Sequence, residues 1–144
     1  MIQDIISFSM SNNSYAVELQ KAPIILSATD YLPTNFQLQN SHYYFKFSNI
    51  KVELINLAKI LRDGNTNITE SSKILVGEKG DELFGMLVDS VIEIVNLNGE
   101  LDNNFFEELN ESSNVIAGRV EISGEKLKMI DIEEILKFIK NRNN

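Results

Sequence analysis

The chain has 144 residues, carries a net charge of -8 and contains no cysteine. That length suits one ordinary domain or two small fused ones, and such a domain buries roughly 70% of its unfolded surface with no disulfide or metal to hold it. Lack of cysteine excludes disulfides, thiolate zinc sites and cysteine nucleophiles; the acidic balance argues against nucleic acid and anionic membrane surfaces as partners.

The N-terminal residues lack a basic start followed by a long apolar core, so no signal peptide is expected. The longest apolar runs, such as 24–26 and 84–88, are too short to cross a bilayer, and the expected location is the cytoplasm without membrane insertion. Residues 4–10, rich in Ile and Phe, the polar run 11–14 and residues 15–19 read as strand, turn, strand. Residues 22–26 suggest a third strand, with Pro23 suited to its start or to a sheet edge. The polar stretch 27–41 predicts a loop. Residues 42–47 look extended and aromatic, Ser48-Asn49 suits a two-residue turn, and 50–55 alternate apolar and charged side chains as a half-buried strand does.

Asn56 is placed to cap a short helix over 57–62, which Gly64 would end. Residues 74–76, a turn at 77–81 and residues 83–95 predict a long hairpin, with Gly85 marking a bulge or a close approach. A loop over 96–104 leads to a helical turn at 105–109. Residues 115–122 and 127–130, joined at Ser123-Gly124, predict another hairpin. Asp131 and Glu134 have the spacing of a capping box, and Ile132, Ile135, Leu136 and Ile139 fall on one stripe of a closing helix. Residues 141–144 should fray. Many short strands with few short helices predict a mostly β fold, as a barrel or a pair of small barrels.

The chemistry of catalysis is absent from the pattern. The single histidine, His42, stands in an aromatic strand context and reads first as a structural ring. Residues 77–80 are a charged turn, not a phosphate loop. Asp102, Asn104 and Glu107 hint at calcium, but the sixth loop position is Glu107 where glycine is needed, and Ser113 stands where the last acidic ligand belongs. The neighbouring pairs Glu107-Glu108 and Glu133-Glu134 do not face each other on a helix and read as solvated charge. With no nucleophile beside a base and no metal cluster, the sequence points to a protein that binds other proteins, without enzymatic activity or cofactor.

One stretch is more specific. Leu83-Phe84-Gly85-Met86-Leu87-Val88-Asp89-Ser90-Val91-Ile92-Glu93-Ile94-Val95 resembles the central signature of CheW-like domains: a small residue, aliphatics, Val-Asp, a valine two residues on, then an acidic and aliphatic continuation. Buried strands read as continuous aliphatics, and an aspartate can bond backbone amides where a strand bends. Residues 6–17, including Tyr15-Ala16-Val17, resemble the family's opening hairpin. Residues 50–57 resemble its strand before a short helix, and 115–118 with 129–136 resemble its closing segment.

The resemblance implies two SH3-like five-stranded β-barrels packed on a shared core, with short helices including a C-terminal one. It implies a single domain over 1–144, its first barrel built from about 15–80 with the C-terminal end and its second from about 85–125. It further implies an adaptor coupling the cytoplasmic tip of chemoreceptors to the regulatory domain of a CheA-type histidine kinase, recruited to membrane receptor arrays. Kinase docking would use strand edges of a barrel. The receptor tip, a helical hairpin, would use an apolar groove between the barrels. By motif position the contacts fall near Ala22, Ile24 and Ile74, extended to Lys21 and Lys73; plain strand core is the competing reading for the three apolar positions.

The chain departs from the family pattern at Lys46-Phe47-Ser48-Asn49, where Asn-Leu-Arg-Gly is usual, at Glu53 in place of proline, and at Ile24 in place of an acidic residue. A paralogue that binds one partner as a competitor or regulator, and a small-molecule-binding barrel, are the alternatives.

Overall fold

In the computed structural model, which describes residues 4–33, 35–37, 43–62, 67–96, 105–107, 115–122 and 124–142, the opening hairpin is built as its turn chemistry demands. Strands β1 (Asp4–Met10) and β2 (Asn13–Glu18) pair antiparallel from Ile5↔Glu18 to Met10↔Asn13. Ser11, at φ 55°, makes the tight reversal between them. A 3₁₀ turn, Leu19–Lys21, leads to β3 (Ile24–Ser27). Strands β4 (Tyr43–Phe47) and β5 (Ile50–Ile55) meet at Ser48 and Asn49, whose φ values of 50° and 65° give the left-handed turn that matches strand twist. The expected turn stands at those two residues without the family's glycine. His42 lies outside the described residues.

Asn56 caps helix α1 (Leu57–Leu61), its side-chain oxygen accepting from the Lys59 N–H at 3.1 Å. Arg62, itself left-handed at φ 55°, closes the helix. Strand β6 (Lys73–Lys79) then turns through Gly80 into β7 (Glu82–Val88), and β8 (Ser90–Asn96) follows directly. Strands β9 (Phe105–Glu107), β10 (Ile116–Ile122) and β11 (Glu125–Ile130) precede helix α2 (Ile132–Arg142). Asp131 caps α2 with Oδ1 accepting from the Glu134 N–H at 3.2 Å. Ile132 and Ile135 are buried, as the stripe requires.

The strands form two sheets. One has the order β3-β6-β7-β5-β4; the other runs β8-β1-β2-β11-β10-β9. Each sheet closes over an apolar interior of its own, and a third apolar layer lies between them. Phe45, Val52, Leu54, Ile74, Val76 and Leu87 fill the five-stranded sheet, while Ile5, Ala16, Val120, Leu127 and Met129 fill the six-stranded one. The shared layer takes Ile6, Phe8 and Met10 from β1, Phe84, Met86 and Val88 from β7, and Ile132 and Ile135 from α2. Strands β1 and β7 are therefore buried on both faces; β7 accordingly reads as a near-continuous apolar run, whereas β1 carries Ser7 and Ser9 between its apolar residues.

Four expectations change. The barrels do not divide as about 15–80 and 85–125: β3 to β7 make one sheet, and the other draws β1 and β2 from the start of the described chain and β8 to β11 from its later part. Residues 83–95 are two strands in different sheets, broken at Asp89, because the chain there crosses from one sheet to the other. Residues 105–107 are a strand and not a helical turn, since pairing with β10 (Val120↔Phe105) supplies the order that so short a segment lacks. Gly77 lies buried within β6 and not in a turn. A side chain there would strike the Lys21 carbonyl and the Phe84 ring, so glycine is what lets the 3₁₀ turn settle on the sheet. Gly85 answers a different pressure. A Cβ there would meet Ile74 Cγ2 at 2.8 Å, inside the five-stranded sheet, so side chains and not another backbone crowd it.

Candidate partner-binding surfaces

Of the three residues named by motif position and their two neighbours, Ile24 lies on β3, the outermost strand of the five-stranded sheet, Lys73 and Ile74 lie on β6 beside it, and Lys21 and Ala22 lie in the 3₁₀ turn before β3 and at its end. Ile24 stands opposite Val76, Leu26 opposite Ile74 and Ser27 opposite Lys73. Their side chains do different things. Ala22 is fully buried in the shared layer, and Ile74 is fully buried inside the five-stranded sheet, so neither offers side-chain surface in this state. Ile24 is half-buried against that same interior, Lys73 is half-buried, and Lys21 is exposed. Lys21 Nζ donates to Glu133 Oε1 of α2 at 2.8 Å. That hydrogen bond and the charge attraction raise the lysine above its ordinary pKa and hold the Glu133 carboxyl below the usual carboxylate range.

A second surface, outside that set, lies on β8, the edge strand of the other sheet. Val91 stands opposite Phe8 and Ile94 opposite Ile6, so both share the face of β1 that fills the shared layer. Val91 is half-buried against that layer, whereas Ile92 and Ile94 are 51% and 54% exposed. The shared layer is packed with the chain's own side chains, and Val91 is the residue of β8 that packs against it. The sequence signal was present in Ile92-Glu93-Ile94, two of whose three residues are apolar and all of which are exposed. It was obscured by reading residues 83–95 as one strand, which hid that β8 is an edge.

Asp89 stands where the chain passes from the five-stranded sheet to the six-stranded one. Its Oδ2 accepts from the Ser11 N–H at 2.6 Å, and its own N–H donates to the Ser9 carbonyl at 3.0 Å. The carboxylate thus holds the β1–β2 turn at the point where the chain leaves β7 for β8, the role the sequence suggested for it. Asp102, Asn104 and Ser113 of the calcium-like spacing lie outside the described residues. Among the described residues no group of three or more acidic or histidine side chains is placed to hold a metal. No helix among them is long and apolar enough to cross a membrane.

Comparison with known proteins gives a match to a family model and matches to solved structures. The family model described as CheW-like domain matches residues 4–140. The scaffolding protein TtCheW from Thermoanaerobacter tengcongensis superposes with a TM-score of 0.74 at 14% identity, over 92% of this chain and 86% of that one. At that identity the likeness concerns the fold, which is mostly β with two SH3-like parts. A search of curated proteins finds no match. With nearly its whole length covered by the family model, the chain belongs to the CheW-like domain family.

Proposed function

We propose that this chain is a non-catalytic, cytoplasmic adaptor that couples chemoreceptors to a CheA-type histidine kinase. The observation that carries the reading is an edge strand, β8, whose Val91 packs on the shared apolar layer while Ile92 and Ile94 stand exposed beside it. A helical hairpin with one apolar face, as in a receptor tip, is the occupant such a ledge fits. The β3 edge is assigned to the kinase regulatory domain, with Lys21, Ile24 and Lys73 accessible and Ala22 and Ile74 supporting them from beneath. No cofactor is invoked. Both sheet interiors are filled by the chain's own apolar side chains, which disfavours the reading as a small-molecule-binding barrel.

A second reading is favoured by Ser48, Asn49 and Ile24. The β4–β5 turn is made without the family's Arg-Gly, and the β3 edge lacks its usual acidic residue. On this reading the chain engages one partner and competes with a true coupler.

Calorimetry of the purified chain against a kinase regulatory domain and against a receptor-tip fragment, each alone, separates the two. A coupler binds both with micromolar affinity, about -8 kcal/mol each. Lys73→Glu should weaken the kinase arm and change its salt dependence, leaving the receptor arm intact. Binding to one partner alone selects the competitor, and binding to neither defeats both readings.

A further inference from the structure

The pairing of β8 with β1 contains an irregularity that the fold alone does not require. The register runs Ile6↔Ile94 and Ser7↔Glu93, then jumps to Phe8↔Val91, so Ile92 has no residue opposite it. An extra residue of this kind is a β-bulge, which bends an edge strand and re-aims a side chain. Ile92 is the residue so displaced, and it is among the most exposed large apolar side chains described.

A bulge leaves backbone groups without ladder partners, and here a side chain takes their place. The Ser7 hydroxyl donates to the Glu93 carbonyl at 3.3 Å and accepts from the Glu93 N–H at 3.2 Å. Ser7 is itself buried, one of two polar residues in the buried set. Further along, the Ser9 and Ser90 hydroxyls share a hydrogen bond at 2.7 Å, and Asp89 grips Ser11 beyond them. Three polar contacts thus tie β8 to β1 on the two sides of the bulge, where two apolar strands would otherwise have been free to slide into regular register. A slip by one residue past the bulge would pair Ile92 with β1 and turn the outward set of β8 over.

The geometry points to Ser7 and Asp89 as positioning residues of the β8 surface: they hold the bulge at Ile92 and so keep Ile92 and Ile94 presented to a partner. The inference rests on reading that surface as a docking face, and it concerns how the face is kept in place.

The test uses the full chain with Ser7→Ala, Asp89→Ala, Asp89→Asn and Ile92→Asp. Amide exchange and methyl NMR are recorded on the free protein, and binding is measured to the receptor-tip fragment. Ser7→Ala should speed exchange of the Glu93 amide about tenfold and move the Ile92 and Ile94 methyl signals, while amides of the β10–β11 hairpin stay protected. Its affinity should fall although Ile92 is intact. Asp89→Asn keeps a carbonyl oxygen for Ser11 and should retain binding that Asp89→Ala loses. Unchanged Glu93 exchange and methyl signals in Ser7→Ala overturn the clamp. So does full affinity in Ser7→Ala when Ile92→Asp binds poorly. If Ile92→Asp binds as well as the wild type, the docking face itself is refuted, and the exchange data still decide whether the clamp exists.

Discussion

At Asp89 one carboxylate holds the turn between β1 and β2. It receives the Ser11 N–H, and Ser11 is a non-glycine residue at positive φ that needs such support. A hydrogen bond to an ionised acceptor is stronger than a neutral one, so Asp89→Ala should lower stability by about 1–2 kcal/mol in urea unfolding, and Asp89→Asn by less. Gly85 is limited by volume. With Ile74 Cγ2 at 2.8 Å from an added Cβ, Gly85→Ala should cost about 1–3 kcal/mol by overpacking. The Lys21–Glu133 pair is of another kind. Its side chains are 43% and 64% exposed, and solvent screens such pairs, so Lys21→Ala should change stability by less than about 1 kcal/mol. The sign of its pH dependence follows from the shifts. Glu133 is lowered, so its contribution is present above the ordinary carboxylate range and fades as pH falls through that range; Lys21 is raised, so its contribution fades only as pH climbs past the ordinary lysine range. Denaturation midpoints of wild type and Lys21→Ala, compared across pH, should converge at both extremes.

Among the elements, α2 and β8 show how local chemistry and tertiary setting share the work. Helix α2 is legible in its own residues: Asp131 three positions ahead of Glu134 announces its start, and the Ile132–Ile135–Leu136 stripe its buried side. Asp131→Ala should remove the cap and about 1 kcal/mol of stability, read by thermal or urea unfolding. The β4–β5 and β10–β11 hairpins are legible for the same reason, since Ser48-Asn49 and Gly124 supply positive φ beside alternating strands. Strand β8 is not. Residues 83–95 show a bend at Asp89 but not a change of sheet, because a strand buried on both faces and the edge strand that follows it are both rich in aliphatic side chains. The apolar surface of β8 should prove dispensable for folding: Ile92→Asp is expected to alter stability by no more than about 0.5 kcal/mol while weakening partner binding.

Over the whole molecule, the shared layer decides how the two sheets behave. Strands β1 and β7 each contribute to their own sheet's interior and to that layer, so neither sheet can lose its packing without exposing the other's. Unfolding should therefore be a single transition, with fluorescence of tyrosines in both sheets and far-UV circular dichroism coinciding; Met86→Ala, in the shared layer, should shift both signals together by about 2–5 kcal/mol. Which of the motif-based residues are exposed was not legible in the sequence. The order of motifs singled out Ala22, Ile24 and Ile74, with Lys21 and Lys73 as their neighbours, but the period of a strand does not say which small apolar residue faces the interior, and Ala22 and Ile74 do. The division of the barrels was hidden for a related reason. The parallel pairings β5–β7 and β2–β11 are joined by no turn, so no local residue signals them.

That β2–β11 pairing has a temporal meaning. Tyr15 and Ala16 find their neighbours at Lys128 and Met129, more than a hundred positions away along the chain, while β3 to β7 find all of theirs within one stretch from 24 to 88. During synthesis the five-stranded half can assemble as soon as its last strand emerges, but β2 keeps one flank open until β11 has been made. The opening hairpin thus spends most of its birth as an unprotected edge, and it is there that a nascent chain of this design is most in need of a chaperone.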